Sequence, residues 1–304
     1  MTQHNVNLDK FIDREFEQEL FEELLTLRDD ARLLAIRGGG GMGKSSLLRQ
    51  FQYRCRTVRP RIPVALVALD QLPDATALVL LREVVRQLAA LHVDFAAFQK
   101  NENARMAGDF PSIRAFLDFE RASFSGARDI HIRGINVERA ERVAISAKAV
   151  RLTPEQEDAA HKASVRAFFA DLARHCEASP AVIMLDAYDR CPPPLQAWLL
   201  EHLLEALCFD RAQRPRQLIV VLAGRELPVF THHWAEAECT TIVRSVQQMS
   251  TWQRHHVEEC LRVHGFSYTA EDVDSFYRFV QRGLPPSQVV QLIESMLMAQ
   301  RGSL

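Results

Sequence analysis

A chain of 304 residues with 47% apolar and 25% charged residues and a formal net charge of −2 has the composition of an ordinary globular protein. It is long enough for one large domain, or a main domain with a small satellite, and its balanced charge gives no bulk pull towards nucleic acid or anionic lipid. Six scattered cysteines (Cys55, Cys176, Cys191, Cys208, Cys239, Cys260) show no Cys-x-x-Cys spacing and read as reduced core residues, which argues against a zinc site or a disulfide frame. The N-terminus MTQHNVNLDK has no leader pattern. The longest apolar runs, PVALVAL and LIVVLAG, are too short to span a bilayer. The expectation is a cytoplasmic protein without membrane contact.

In chain order, residues 14–28 place Phe16, Leu20, Leu24 and Leu27 at helical spacing, which predicts an amphipathic helix. RLLAIRG (32–38) is a short buried strand ending in glycine, and SSLLRQFQYRC is a second helix. RIPVALVALD (61–70) predicts a strand, followed by the helix ATALVLLREVVRQLAALH. Around 125–146 apolar and polar residues alternate with a phase change at Gly134, which predicts a small inserted β-hairpin or bulged strand pair. A helix from about Glu155 to Cys176 leads into AVIMLD (181–186), the most strand-like run of the chain. The prolines of CPPP then start a helix through LQAWLLEHLLEALC. RQLIVVLAGR (216–225) and ECTTIVRSV (238–246) supply the last two strands, and three helices follow from about residue 250. Strands alternating with helices predict a parallel α/β sheet covered on both faces. The domain expectation is an N-terminal segment and helix over 1–30, a nucleotide-binding domain over 31–246 with the insertion, and a helical lid over 247–304.

The stretch RGGGGMGKSS fits Gly-x-x-x-x-Gly-Lys-Ser from Gly38 to Ser45, between a predicted strand and a predicted helix. Glycines allow backbone N–H groups to curl around phosphate oxygens, and the helix N-terminus adds its partial positive charge. Gly38, Gly39, Gly40, Gly41, Met42, Gly43, Lys44, Ser45 and Ser46 are therefore the candidate ATP/ADP-binding residues. Lys44 would reach the β- and γ-phosphates and Ser45 would ligate Mg²⁺. Asp186, the acid ending AVIMLD, is the candidate second holder of Mg²⁺.

Further motifs resemble those of signal-transduction ATPases of the STAND class. FIDREFEQELFEEL resembles the segment that precedes their phosphate loop, LDAYDR their NACHT-like Asp-Gly/Ala-hydrophobic-Asp-Glu signature, LAGR their strand-end arginine, and RGLPP the Gly-x-Pro of their lid. The resemblance implies a P-loop NTPase fold with a five-stranded parallel sheet in the order 5-1-4-3-2 and a small C-terminal helical lid. It implies that Phe11, Ile12 and Arg14 border the adenine pocket, with Pro285 closing it from the lid. Asp189 would orient the attacking water and Arg225 would sense the γ-phosphate, so Lys44, Asp189 and Arg225 form the implied catalytic set. From the residues alone, Arg225 also fits a surface arginine after a strand, and Pro285 also fits the first turn of a helix. Two positions depart from the pattern. Asp13 stands where the family has glycine, and Arg190 where it has a second acid.

The main functional expectation is an ATP-binding switch with slow Mg²⁺-dependent hydrolysis coupled to lid movement. Its partner would be another protein or a second copy of the chain. The alternative is an AAA+ ATPase related to origin-recognition loaders, which share the Phe-hydrophobic-x-Arg-Glu opening and act on nucleic acid. Those enzymes usually place an arginine finger before the last strand, and no Lys or Arg occurs here from Glu226 to Val243. Nucleic acid is therefore the lesser expectation. The histidine pairs His232-His233 and His255-His256 suggest no metal site, because adjacent residues point apart. YRCRTVRPR reads as a solvated basic loop.

Overall fold

The computed structural model describes residues 12–26, 30–72, 75–109, 154–212 and 214–301. Phe11 and the predicted hairpin at 125–146 lie outside them. The chain divides into two compact units, one joining residues up to Val93 with those from His175, the other Asp94–Arg174.

In the first unit, α1 (Glu15–Leu25) precedes β1 (Leu33–Arg37) and α2 (Lys44–Thr57), then β2 (Val64–Ala68) and α3 (Ala77–Ala89). After the second unit come β3 (Ala181–Asp186), α6 (Pro193–Trp198, continuing as wider π-type turns over Leu199–Phe209), β4 (Leu218–Gly224), α7 (Glu236–Ile242) and β5 (Val243–Val246). Every pairing is parallel, and the order is β2-β3-β4-β1-β5, which is the expected 5-1-4-3-2 read from the other edge. The strands read as unbroken apolar runs because both faces are covered; β3 and β4 are buried along their whole length. On one face, Leu34, Ile36, Val182, Met184, Ile219 and Val221, spaced by two along their strands, pack under Leu47, Leu48 and Phe51 of α2.

Two sequence expectations shift. The buried face of α1 is Glu17, Phe21 and Leu24, while Phe16 is 61% exposed. Phe21 wins the inward position because it stacks on Phe51, with ring centroids 4.2 Å apart. Leu27 lies outside the described residues. The stretch 238–246 is also not one strand: α7 occupies Glu236–Ile242 and β5 begins only at Val243. The β-branched run Thr240–Val243 suggests a strand. However, Thr240 and Thr241 donate their hydroxyls to the carbonyls of Glu236 and Ala237 one turn back, and two glutamates favour the helix start.

The C-terminal helices are α8 (Arg254–Val263), α9 (Ala270–Gln281) and α10 (Pro286–Arg301). They share their own core, which includes Val257, Leu261, Phe276 and Ile293 and also takes in Ile12. Thr269 and Asp272 cap α9 reciprocally. Gly283, at φ +92, follows the end of α9, and Leu284 and Pro285 lead directly into α10.

The second unit holds α4 (Ala96–Asp109) and most of α5 (Pro154–Ala178). Phe95, Phe98 and Phe168 cluster there, and the buried Asp171 accepts the Phe98 N–H at 2.9 Å. All six cysteines are buried and free. No described helix is long and apolar enough to cross a membrane.

Candidate phosphate-loop site

The site lies at the carboxyl ends of the parallel strands, where β1 runs through the glycine loop into α2. The Gly38 N–H donates to the Gly224 carbonyl at 3.1 Å, which ties the start of the loop to β4. Gly41 and Gly43 sit at φ +75 and +91, a region that costs other residues about 1–2 kcal/mol. No side chain caps the N-terminus of α2. Its first-turn N–H groups, with the positive end of the helix dipole, therefore face the site with unspent donor capacity.

Lys44 opens α2 and folds back, donating its Nζ to the carbonyls of Gly38 at 2.6 Å and Gly39 at 2.9 Å. Burial lowers its pKa; Asp186 and Asp189 pull it back up, while Arg225 and Arg190 add to the fall. The site is thus a concentration of charge of both signs. Lys44, Ser45, Asp186, Asp189 and Arg225 line one cavity of about 360 Å³ with Gly40 and Gly41.

Asp186 ends β3, in register with Ala68 of β2, and is 8% exposed. Its Oδ1 accepts the Ala187 N–H at 2.8 Å, with Ala187 turned into the left-handed region at φ +59. Asp189 lies in the short 3₁₀ turn Tyr188–Arg190, and its Oδ1 accepts the Arg225 N–H at 2.7 Å. That bond fixes the backbone from which the Arg225 side chain rises. The guanidinium of Arg225 lies over the loop, since a Cβ on Gly40 would come within 3.2 Å of its Nη2. Among the described residues, the Arg225 side chain makes no hydrogen bond or ion pair.

The remaining loop residues face other ways. Met42 is buried in the core under the loop, a Cβ on Gly38 would meet Met249 at 3.2 Å, and Ser46 does not line the cavity. Of the residues expected at the adenine, Ile12 packs in the core of the C-terminal helices. Arg14 is 3% exposed and donates to the Met42 carbonyl and to the Ser250 carbonyl, both at 2.9 Å, while pairing with Asp13 at 2.9 Å. Asp13, where the STAND motif it resembles has glycine, sits at φ +69, the conformation that suits glycine and that aspartate tolerates better than most residues. Pro285 and Ser287 press on Gly41: the Ser287 N–H donates to its carbonyl at 3.1 Å, and a Cβ there would meet Ser287 Oγ at 2.6 Å and Pro285 at 3.0 Å. Arg14 and Pro285 therefore both hold the backbone of the phosphate loop.

The sequence reading missed Asp70, which lines the same cavity from the end of β2 and pairs with Arg190 at 2.9 Å. A signal was present: VALVALD ends in an acid just as AVIMLD does.

No family model matches the chain, and no curated protein matches it. Solved structures do. The ORC2 protein of Aeropyrum pernix, in its ADP form, overlays with a TM-score of 0.52 at 12% identity, covering 96% of this chain and 64% of that one. Domain III of the replication initiation protein DnaA from Thermotoga maritima gives 0.45 at 9% identity, covering 100% of this chain and 92% of that one. The ORC1 protein of Aeropyrum pernix in complex with DNA gives 0.46 at 13% identity, covering 98% and 63%. The latter two overlays are too loose to carry an argument. The chain thus spans less than two thirds of the ORC2 structure, and at that identity the likeness shows the fold alone: a parallel α/β sheet followed by helices.

Proposed function

We propose that the chain binds Mg²⁺–ATP in the phosphate-loop cavity and hydrolyses it slowly, as an AAA-type ATPase whose C-terminal helices respond to the nucleotide. One observation carries this reading: Lys44, Ser45, Asp186 and Arg225 surround a cavity on an uncapped helix N-terminus. The residues fit the group. The α2 N–H groups and Lys44 would bind phosphate oxygens, and Arg225 would meet the γ-phosphate. The Ser45 hydroxyl and the Asp186 carboxylate would hold Mg²⁺, which supplies positive charge to the phosphates when bound.

The fold likeness to ORC2 favours the AAA-type reading that the sequence placed second, while the STAND resemblance rests on short motifs. Of the basic loop 54–61, Arg54 pairs with Glu22 of α1. A partner for the chain is best sought in a protein or a second copy. Shifting a lid from 1:99 to 99:1 needs about 5.5 kcal/mol of differential binding, and one charge-assisted contact at Arg225 supplies about 1.5–3 kcal/mol. The rest must come from further contacts.

The same reading expects slow turnover. Attack on the γ-phosphate needs a side chain that orients the water, and the candidate, Asp189, already has one oxygen committed to the Arg225 backbone. The test is a calorimetric titration with Mg²⁺–ATP, beside a phosphate-release assay expected to read below about 1 s⁻¹, under the usual enzyme range. Absence of binding by the wild-type protein would end this reading.

A further inference from the structure

We infer that Arg190 is a second triphosphate-binding cation, held in reserve by Asp70, and that it sets the preference of the site for ATP over ADP. This rests on the nucleotide reading above and deepens it. Three arginines line the cavity, Arg49 from α2 and Arg190 and Arg225 from two different strand ends. Arg225 follows β4 and lies over Gly40 with its guanidinium uncommitted, so it can meet a γ-phosphate without first giving up a partner. Arg190 follows β3 and donates its Nη1 to Asp70 Oδ2 at 2.9 Å. Both members of that pair line the same cavity as Lys44 and Ser45, so the guanidinium is parked within the site. Its charge is felt at Lys44, where it adds to the fall in pKa.

The strength of the parking decides what it does. The Arg190 and Asp70 side chains are 53% and 23% exposed, and ion pairs of that kind hold only weakly, by about 0–1 kcal/mol. A γ-phosphate offers more negative charge and a bidentate geometry that a guanidinium matches. A triphosphate can therefore draw Arg190 away from Asp70, whereas a diphosphate, lacking the outermost group, gives it little reason to leave. Asp70 tempers the exchange: while it is paired, part of any binding energy goes into breaking the pair. This also gives a purpose to an arginine where the resembling family carries an acid.

The variants act in opposite directions. Affinities for Mg²⁺–ADP and for a slowly hydrolysed Mg²⁺–ATP analogue are measured in wild type, Arg190→Ala, Asp70→Asn and the double variant. Melting curves without nucleotide verify that each is folded. Arg190→Ala should weaken the ATP analogue about tenfold and ADP by less than about twofold, as expected for loss of one charge-assisted contact. Asp70→Asn should tighten the ATP analogue about threefold, within the worth of an exposed pair, and leave ADP unchanged. The double variant should behave like Arg190→Ala. Equal effects of Arg190→Ala on both nucleotides, no effect on either, or weaker ATP-analogue binding by Asp70→Asn would each overturn the inference while leaving the cavity a nucleotide site. Failure of the wild type to bind either nucleotide would overturn both.

Discussion

The phosphate loop is held from two sides that are built on different terms. On its open side, Lys44, Ser45, Asp189 and Arg225 border a solvent-reached cavity, and their charges are coupled loosely. On its closed side, Arg14 is buried against Met42, Ser250 and Asp13, and Ser287 with Pro285 covers Gly41. If the open side serves a nucleotide, as proposed, replacing its residues should cost little stability in the free protein. Those of the closed side hold the loop's shape. Two consecutive left-handed residues, Asp13 and Arg14 at φ +69 and +86, persist there because the Arg14 guanidinium is fixed at several points.

The largest expected effect comes from the closed side. Arg14→Ala leaves the Asp13 carboxylate buried without its cation and should destabilise the free protein by about 3–5 kcal/mol, read from urea unfolding midpoints. A loss below about 1 kcal/mol would show that the buried cluster does not brace the loop. Lys44→Ala tests the open side. Its stability without nucleotide should stay within about 1 kcal/mol of wild type, since the hydrogen bonds lost to two loop carbonyls are offset by no longer burying the ammonium. What it should lose is the nucleotide's contribution, about 2.7 kcal/mol at a hundredfold excess over Kd, or a melting shift of about 4 °C for a chain of this size. An unchanged melting shift in Lys44→Ala would remove the contrast between the two sides.

Gly41→Ala sits where the sides meet. The left-handed backbone costs about 1–2 kcal/mol for a residue with a Cβ, and that Cβ would press on Ser287 and Pro285. Hydrogen exchange should quicken at the start of α10 more than in α9. Uniform exchange across both helices would place the strain elsewhere.

The smallest effect is a pH dependence. Burial lowers the pKa of His256 from its usual 6.5, with Asp13 opposing the fall, and burial likewise lowers that of His175. The folded chain then binds fewer protons than the unfolded chain just below pH 6.5. The stability associated with these neutral imidazoles is complete above that value and is lost as pH falls towards the folded pKa, at no more than about 1.4 kcal/mol per unit for one proton. His256→Gln should flatten unfolding midpoints measured between pH 7.5 and 5.5; an identical slope would exclude His256 as a contributor.

The open side was legible because its signals are local. AVIMLD is a strand with the predicted bounds, ending in Asp186, and the glycine run lies between β1 and α2 as its spacing requires. The five-stranded order followed from the resemblance those motifs carry. The closed side was not legible. The resemblance implied an adenine-bordering role for Arg14 and Pro285, yet their partners here are main-chain carbonyls and a loop glycine, which carry no side-chain signature. At α7 the β-branched run concealed a helix that starts on two glutamates and in which Thr240 and Thr241 turn their hydroxyls to carbonyls one turn back.

What the sequence determined by itself was the set of elements whose causes lie within a few residues: glycines that tolerate left-handed turns, apolar runs that need cover on both faces, and a helix N-terminus with no cap. Only the tertiary structure decided which side chains meet. Arg14 finds Ser250 across 236 residues of chain and Arg190 finds Asp70 across 120. Polar contacts at such separations form because the packed sheet and helices bring strand ends and linkers together, and no local pattern of residues records where that packing will place them.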